Sequence, residues 1–299
     1  MPAKIHLYAQ LMRLDKPIGW WLLLWPCWWG LILAAPPVGA WSATEVFYAV
    51  LFLLGAIIMR GAGCVVNDVW DRDLDKSVLR TQTRPLANGA LTLREALWFL
   101  AGLLLLGLVI LLQFNVAAQL VGASLLLLVG VYPLMKRITW WPQLFLGLTF
   151  NAGVWVAAAA YQPQFYLPNL ILAPALLYAA GIFWTLGYDT IYALQDAKDD
   201  ALVGIKSTAR LFGRWSRLAV AAFYGIMLVL LAALLWHLGA HPSSYVVWVV
   251  LACHLFWQTR HIDWVNPHAA GKLFKSNREA GLWVALMLIA AKATPFEWP

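Results

Sequence analysis

Long apolar runs alternate along this chain with short polar clusters. Between Lys16 and Glu45 there is no Asp, Glu, Lys or Arg, between Glu95 and Asp189 only Lys136 and Arg137, and between Arg217 and Arg260 none. Cut at Pro, Gly, Asn and charged clusters, the runs predict about nine apolar segments, roughly 18–36, 45–65, 95–113, 116–135, 141–160, 168–187, 217–237, 243–259 and 279–296. Each is about the length of a helix that crosses a bilayer, whereas membrane strands are about half as long and alternate apolar with polar positions. The pattern therefore predicts an all-α polytopic membrane protein with about nine transmembrane helices, folded as a single domain over residues 1–299. Composition agrees: 63% of residues are hydrophobic and 12% charged, 19 are tryptophan, and the mean hydropathy is +0.72. Those values exclude an ordinary soluble domain.

Assigning the connections alternately to two sides gathers the cations on one of them. That side holds Lys4, Arg13 and Lys16, the 66–94 loop, Lys136 and Arg137, the 188–217 loop and the 260–278 loop. Only Lys292 falls on the far side, while Arg60 lies near the basic end of the second segment. By the positive-inside rule the basic loops are cytoplasmic, as is the N-terminus, and the expected location is a bacterial inner membrane. The net charge of +7 then reads as topology and attraction to membrane lipids, not nucleic-acid binding. The apolar run after Ile18 is longer than a signal-peptide core, so it is read as a retained span. Cys27, Cys64 and Cys253 fall in three different segments without a CxxC and read as small buried hydrophobes. His237 and His241, at the far face with no acidic neighbour, read as interface residues.

Eight of the 14 Asp and Glu residues lie in two stretches, "NDVWDRDLD" at 67–75 and "DTIYALQDAKDD" at 189–200. On a helix Asn67, Asp71 and Asp75 fall at about 0°, 40° and 80° with Asp68 at about 100°, while Asp73 points away. Taking Asp189 as zero, Asp196 and Asp200 fall at about −20° and +20°, with Asp199 and Tyr192 on the same flank. Like charges at such spacing repel, so a cation is expected to neutralise them. Oxygen donors without nearby Cys or His favour a hard ion, and a site shared between two helices suits Mg²⁺ carrying a diphosphate. Basic residues follow each stripe: Arg80 and Arg84 after the first, Lys206 and Arg210 after the second. With Arg72 and Lys136 they are the candidate diphosphate contacts. For the Lys136–Arg137 pair a plain membrane anchor remains an equal reading, and Arg60 is a further phosphate candidate, since a cation there would be costly facing lipid.

"NDVWDRDLD…RTQTRPL" and "DTIYALQDAKDD…GIKSTA" resemble the paired acidic motifs of the UbiA superfamily of intramembrane aromatic prenyltransferases. "LMRLDKPIGWWLLLWP", "MRGAGCVVNDVWDRDLD" and "YPLMKRITWWPQ" are similar to its 4-hydroxybenzoate polyprenyltransferases of ubiquinone biosynthesis. The resemblance covers about residues 8 to 213. It implies a central cavity ringed by the helices, with a cap of short helices carrying the motifs. It implies that Asn67, Asp71, Asp75, Asp196 and Asp200 hold Mg²⁺ on a polyprenyl diphosphate, with Asp68, Asp189 and Asp199 in direct or supporting roles. Trp70 stands where many relatives have Tyr, which removes a hydroxyl there.

The reaction so implied ionises the allylic C–O bond and lets the phenol carbon ortho to the hydroxyl capture the cation. Arg137 and Arg72 are the candidates to hold the benzoate carboxylate, since a small acid needs a bidentate partner to be oriented. Tyr188 and Tyr192 are further acceptor contacts, and Asp189 or Tyr188 is the candidate to take the ring proton. Dihydroxynaphthoate, homogentisate or haem as acceptor, and an ion-coupled transporter, are the alternatives. A transporter fits less well, because both acid clusters lie at helix ends rather than at the bilayer midplane.

Overall fold

The computed structural model describes residues 2–76, 81–202, 204–264 and 269–293. Among these there are helices and turns and no strand. The helices are α1 (Pro2–Leu11), α2 (Ile18–Ala34), α3 (Ala43–Asp75), α4 (Leu93–Leu111), α5 (Val116–Val131), α6 (Met135–Ile138), α7 (Pro142–Phe150) and α8 (Gly153–Tyr161). They continue as α9 (Pro168–Ala193), α10 (Ala197–Leu202), α11 (Thr208–Phe212), α12 (Ser216–His237), α13 (Ser243–Arg260), α14 (Ala270–Lys275) and α15 (Asn277–Ala291). Five stretches are long and apolar enough to cross a membrane: Ala43–Asp75, Leu93–Leu111, Pro142–Tyr161, Pro168–Ala193 and Thr208–His237. Ile18–Ala34 and Val116–Val131 are shorter apolar helices.

Local chemistry sets several of the boundaries. Ser42 and Glu45 form a capping box that starts α3, and Thr92 and Glu95 form another that starts α4. The Asn115 side chain accepts from the Ala118 N–H to open α5. Lys292, the lone cation of the far side, donates to the carbonyls of Leu33, at 2.8 Å, and Ala35. It therefore satisfies the last turn of α2, where free carbonyls would otherwise face apolar surroundings.

The core forms where α2 meets its neighbours. The indole of Trp29 donates to Gly281 O on α15 at 2.9 Å, and that of Trp28 to Ala49 O on α3 at 3.0 Å. Gly30 is where α2 touches α8: a Cβ there would stand 2.7 Å from the backbone oxygen of Val154 and 2.9 Å from Ala157 Cβ. Backbone cannot step aside as a side-chain tip can, so Gly30→Ala is expected to cost about 1–3 kcal/mol. Thermal unfolding in detergent checks this, and an unchanged midpoint excludes a rigid contact. The outward faces are apolar: on α4, Trp98, Leu105 and Val109 are 71%, 61% and 50% exposed, as expected of lipid-facing positions.

One predicted segment is interrupted. The run 141–160 is two helices, α7 and α8, joined at a turn over Asn151 and Ala152. Asn151 is fully buried, and its amide donates to Gly147 O and Thr185 Oγ1, both at 2.8 Å. Hydropathy does not register the break because both halves are apolar.

Candidate active site

Thirty-three residues in α3 span about 50 Å, more than the ~30 Å of a bilayer's hydrocarbon. The end that carries 67–75 therefore projects from the apolar layer at the basic face, where it forms one wall of a cavity of about 500 Å³. Asn67, Asp68, Asp71 and Asp75 line this cavity, and the three carboxylates are buried. Such burial is tolerated only with compensating charge, and the structure supplies it. Arg84 Nη1 bridges Asp68 Oδ1 at 3.1 Å and Asp75 Oδ2 at 2.6 Å. Lys136 donates to Asp71 Oδ2.

Arg13 adds a cation that sequence reasoning left out of the site, although it lies in the motif-bearing stretch "LMRLDKPIG". Its Nη2 donates to Asp68 Oδ1 at 2.5 Å. Burial opposes its charge, but Asp68 more than offsets this, so the guanidinium is held above its usual range and stays ionised. Its backbone is left-handed, with φ 57°, in the turn between α1 and α2. For a non-glycine residue that conformation costs on the order of 1–3 kcal/mol and persists where surrounding contacts enforce it.

The second acid stripe is not one helix, contrary to the angular reading. α9 ends at Ala193, residues 194–196 form a turn, and α10 begins at Ala197. Asp189, Asp196 and Asp200 nevertheless line the same cavity as the α3 acids. Asp199 is exposed and does not line it, because the turn re-aims α10. Tyr188 and Tyr192 line the cavity too, and the Tyr188 side chain is buried. Lys206 lines the cavity too, with its Nζ donating to Ile138 O at 3.0 Å. Arg210 instead ties its own loop, donating to the carbonyls of Ile205 and Asp200.

Two arginines predicted for the site lie outside the cavity lining. Arg72, one residue and about 100° beyond Asp71, faces Asp73 at 3.4 Å, and neither it nor Arg137 lines the cavity. Arg137 donates to Trp70 O at 3.3 Å and is 3.6 Å from Asp71 Oδ1. Arg80 lies outside the described residues. Arg60, by contrast, lines the cavity, with Nη1 2.5 Å from Cys64 Sγ and its buried Nε without a hydrogen-bond partner among the described residues. Gly19 makes room for it: a Cβ there would stand 2.6 Å from that Nε. Among the described residues no ion pair within 4 Å engages Arg60, and Asp189 and the Phe150 ring, 5.9 Å away, act on it through space.

Among the described residues no three acidic, His or Cys side chains are grouped closely enough to hold a metal ion. The α3 carboxylates are closed on Arg13, Arg84 and Lys136 instead. The donor set still suits a hard cation, for it is all oxygen, and Asp71 Oδ1 is buried without a hydrogen bond among the described residues.

A helical membrane bundle in which two acid clusters and several cations line one cavity has the parts of an intramembrane prenyltransferase. The UbiA prenyltransferase family profile matches residues 23–289, and the chain belongs to that family. It is 44% identical over 283 residues to "4-hydroxybenzoate polyprenyltransferase, mitochondrial" of Drosophila pseudoobscura pseudoobscura, covering 94% of this chain and 69% of that protein. The human protein of the same name is 44% identical over 292 residues, covering 96% of this chain and 76% of its own length. Among solved structures, the apo form of a UbiA homolog from Aeropyrum pernix superposes with a TM-score of 0.77 at 25% identity, covering 90% of this chain and 96% of that one. A UbiA homolog from Archaeoglobus fulgidus bound to GPP and Mg²⁺ shares the fold, with a TM-score of 0.72 at 18% identity, covering 96% of this chain and 100% of that one.

These relatives correct one expectation. The fly and human proteins are named as mitochondrial, which overturns the placement in a bacterial inner membrane. Charge asymmetry orients a chain across a bilayer but does not name the bilayer. The apolar helices support an integral membrane protein.

Proposed function

We propose that this chain transfers a polyprenyl group from its diphosphate to the ring carbon ortho to the hydroxyl of 4-hydroxybenzoate, releasing diphosphate, a step of ubiquinone biosynthesis. The observation that carries this reading is one cavity lined by acids of both stripes, by Arg84, Lys136 and Lys206, and by apolar side chains such as Leu22, Leu146 and Phe150. Nine membrane crossings with a cap of short helices belong to the same reading, supported by helices at each of the nine apolar segments within the described residues.

Asn67, Asp71 and Asp75 with Asp196 and Asp200 would hold Mg²⁺, which when bound supplies positive charge to the leaving diphosphate. Arg84, Lys136 and Lys206 exchange their protein oxygens for phosphate oxygens and stabilise the departing charge. The C1–O bond breaks with its electron pair going to diphosphate, and the allyl cation is left among rings, Tyr188, Tyr192 and Phe274 on one wall. The acceptor ring carbon forms the new C–C bond and loses its proton to Asp189 or Tyr188, a reading supported by their both lining the cavity. Arg60 orients the acceptor carboxylate, a role for which its unpartnered Nε suits it better than the outlying Arg72 and Arg137.

Purified protein given geranyl diphosphate and 4-hydroxybenzoate is expected to form 3-geranyl-4-hydroxybenzoate only when Mg²⁺ is present. If diphosphate is released but dihydroxynaphthoate or homogentisate is the ring that becomes prenylated, the acceptor assignment is overturned.

A further inference from the structure

A second cavity of about 520 Å³ lies between α12 and α13, at the same basic end of the bundle but outside the acid-lined site. Its rim carries Arg214, Arg217 and Arg260, all exposed. Among the described residues none of the three is paired with a carboxylate. Two guanidiniums rest on aromatic faces, Arg214 on Trp215 at 5.1 Å and Arg260 on Phe256 at 5.7 Å. Such stacking holds a guanidinium in place while leaving its N–H edge free to donate.

Below the rim the character changes. Positions 217, 221, 225 and 228 recur on one face of α12, and 252, 256 and 260 on one face of α13. The small residues Ala221, Gly225 and Ala252 leave a trough between them, and a Cβ on Gly225 would meet nothing within 4 Å. Leu218 and Phe256, each 64% exposed, flank the trough on the lipid-facing side. Three cations therefore stand at headgroup level over an apolar furrow that runs toward acyl-chain depth.

We propose that this groove binds an anionic phospholipid, its phosphate held by Arg214, Arg217 and Arg260 and one acyl chain laid along Ala221, Gly225 and Ala252. Charge complementarity selects the occupant. Basic pockets between membrane helices on the positive face take acidic headgroups, and arginine matches phosphate oxygens two at a time. A zwitterionic lipid carries its own cation and would leave the arginines without net compensation.

The test is native mass spectrometry of the full chain in detergent, titrated with diphosphatidylglycerol, phosphatidylglycerol and phosphatidylcholine of matched acyl chains, and with glycerol phosphate as a headgroup lacking a chain. The anionic lipids are expected to bind at least about tenfold more tightly than phosphatidylcholine, and Arg214→Gln/Arg217→Gln/Arg260→Gln to abolish that preference. The control Lys272→Gln/Lys275→Gln/Arg278→Gln, which removes as much charge from α14 and the start of α15, is expected to keep it. Gly225→Leu, filling open space, is expected to weaken the lipids while leaving glycerol phosphate unchanged. Equal loss in both triple variants overturns the proposal in favour of a diffuse charge effect. Glycerol phosphate competing as well as lipid, or Gly225→Leu without effect, overturns the acyl-chain assignment and with it the lipid site.

Discussion

Asp71→Asn and Asp196→Asn are each expected to lower prenyl transfer by roughly 10²–10³-fold, the loss typical when a group that stabilises developing charge is removed. Both side chains line one cavity yet come from α3 and the α9–α10 turn, which are far apart in sequence. Asn keeps the shape of Asp, so the variants test charge and metal affinity rather than packing. Each is expected to raise the Mg²⁺ concentration needed for half-maximal rate. Because the two acids serve one diphosphate, the double variant should cost far less than the product of the single losses. Asp73→Asn is the control: its carboxylate points away, is 73% exposed, and pairs with Lys76 at 2.9 Å, so its rate should stay close to wild type. Losses that multiply, or an equal loss at Asp73, would falsify a shared site.

How far the sequence was legible follows from the physics each feature uses. The helices were readable because a bilayer imposes length and apolarity on every span, and the resulting runs overlap α2 to α5, α9, α12, α13 and α15, although α3 and α9 continue ten and six residues past the runs 45–65 and 168–187. The break at Asn151 was not, since both halves are apolar and the side chain at the break meets Thr185, thirty-four positions along the chain. In the site, the α3 stripe survived because one unbroken helix obeys its 100° step. The same step misplaced Asp199 because the helix stops at Ala193. The cations were harder still. Which acid Arg84 or Lys136 meets depends on tertiary approach, and sequence proximity to the motif favoured Arg72, which turns toward Asp73 instead.

Arg60→Ala is expected to raise the KM for 4-hydroxybenzoate by roughly 10- to 100-fold, equivalent to about 1.5–3 kcal/mol for a hydrogen bond to a charged group, with little change in the KM for prenyl diphosphate. The inference rests on what Arg60 lacks. A guanidinium offers five N–H donors, yet this one has a Cys64 sulfur as its hydrogen-bond partner and a buried Nε with none. Within a membrane-spanning helix such a charge is costly and calls for an anion. The diphosphate-side cations already have oxygen partners, Arg84 on Asp68 and Asp75, Lys136 on Asp71 and Lys206 on the Ile138 carbonyl. Arg60 lies about two helical turns before Asn67 on the same helix, where Gly19 leaves space for its head. A flat benzoate whose carboxylate meets that head would aim its phenol end back toward the mouth, where the allyl cation forms. Arg60→Lys keeps the charge but loses the two-pronged donor, so it should recover only part of the acceptor affinity. Should Arg60→Ala instead raise the KM for the diphosphate and spare that for the acceptor, Arg60 serves the leaving group, and the acceptor must be held by another cation.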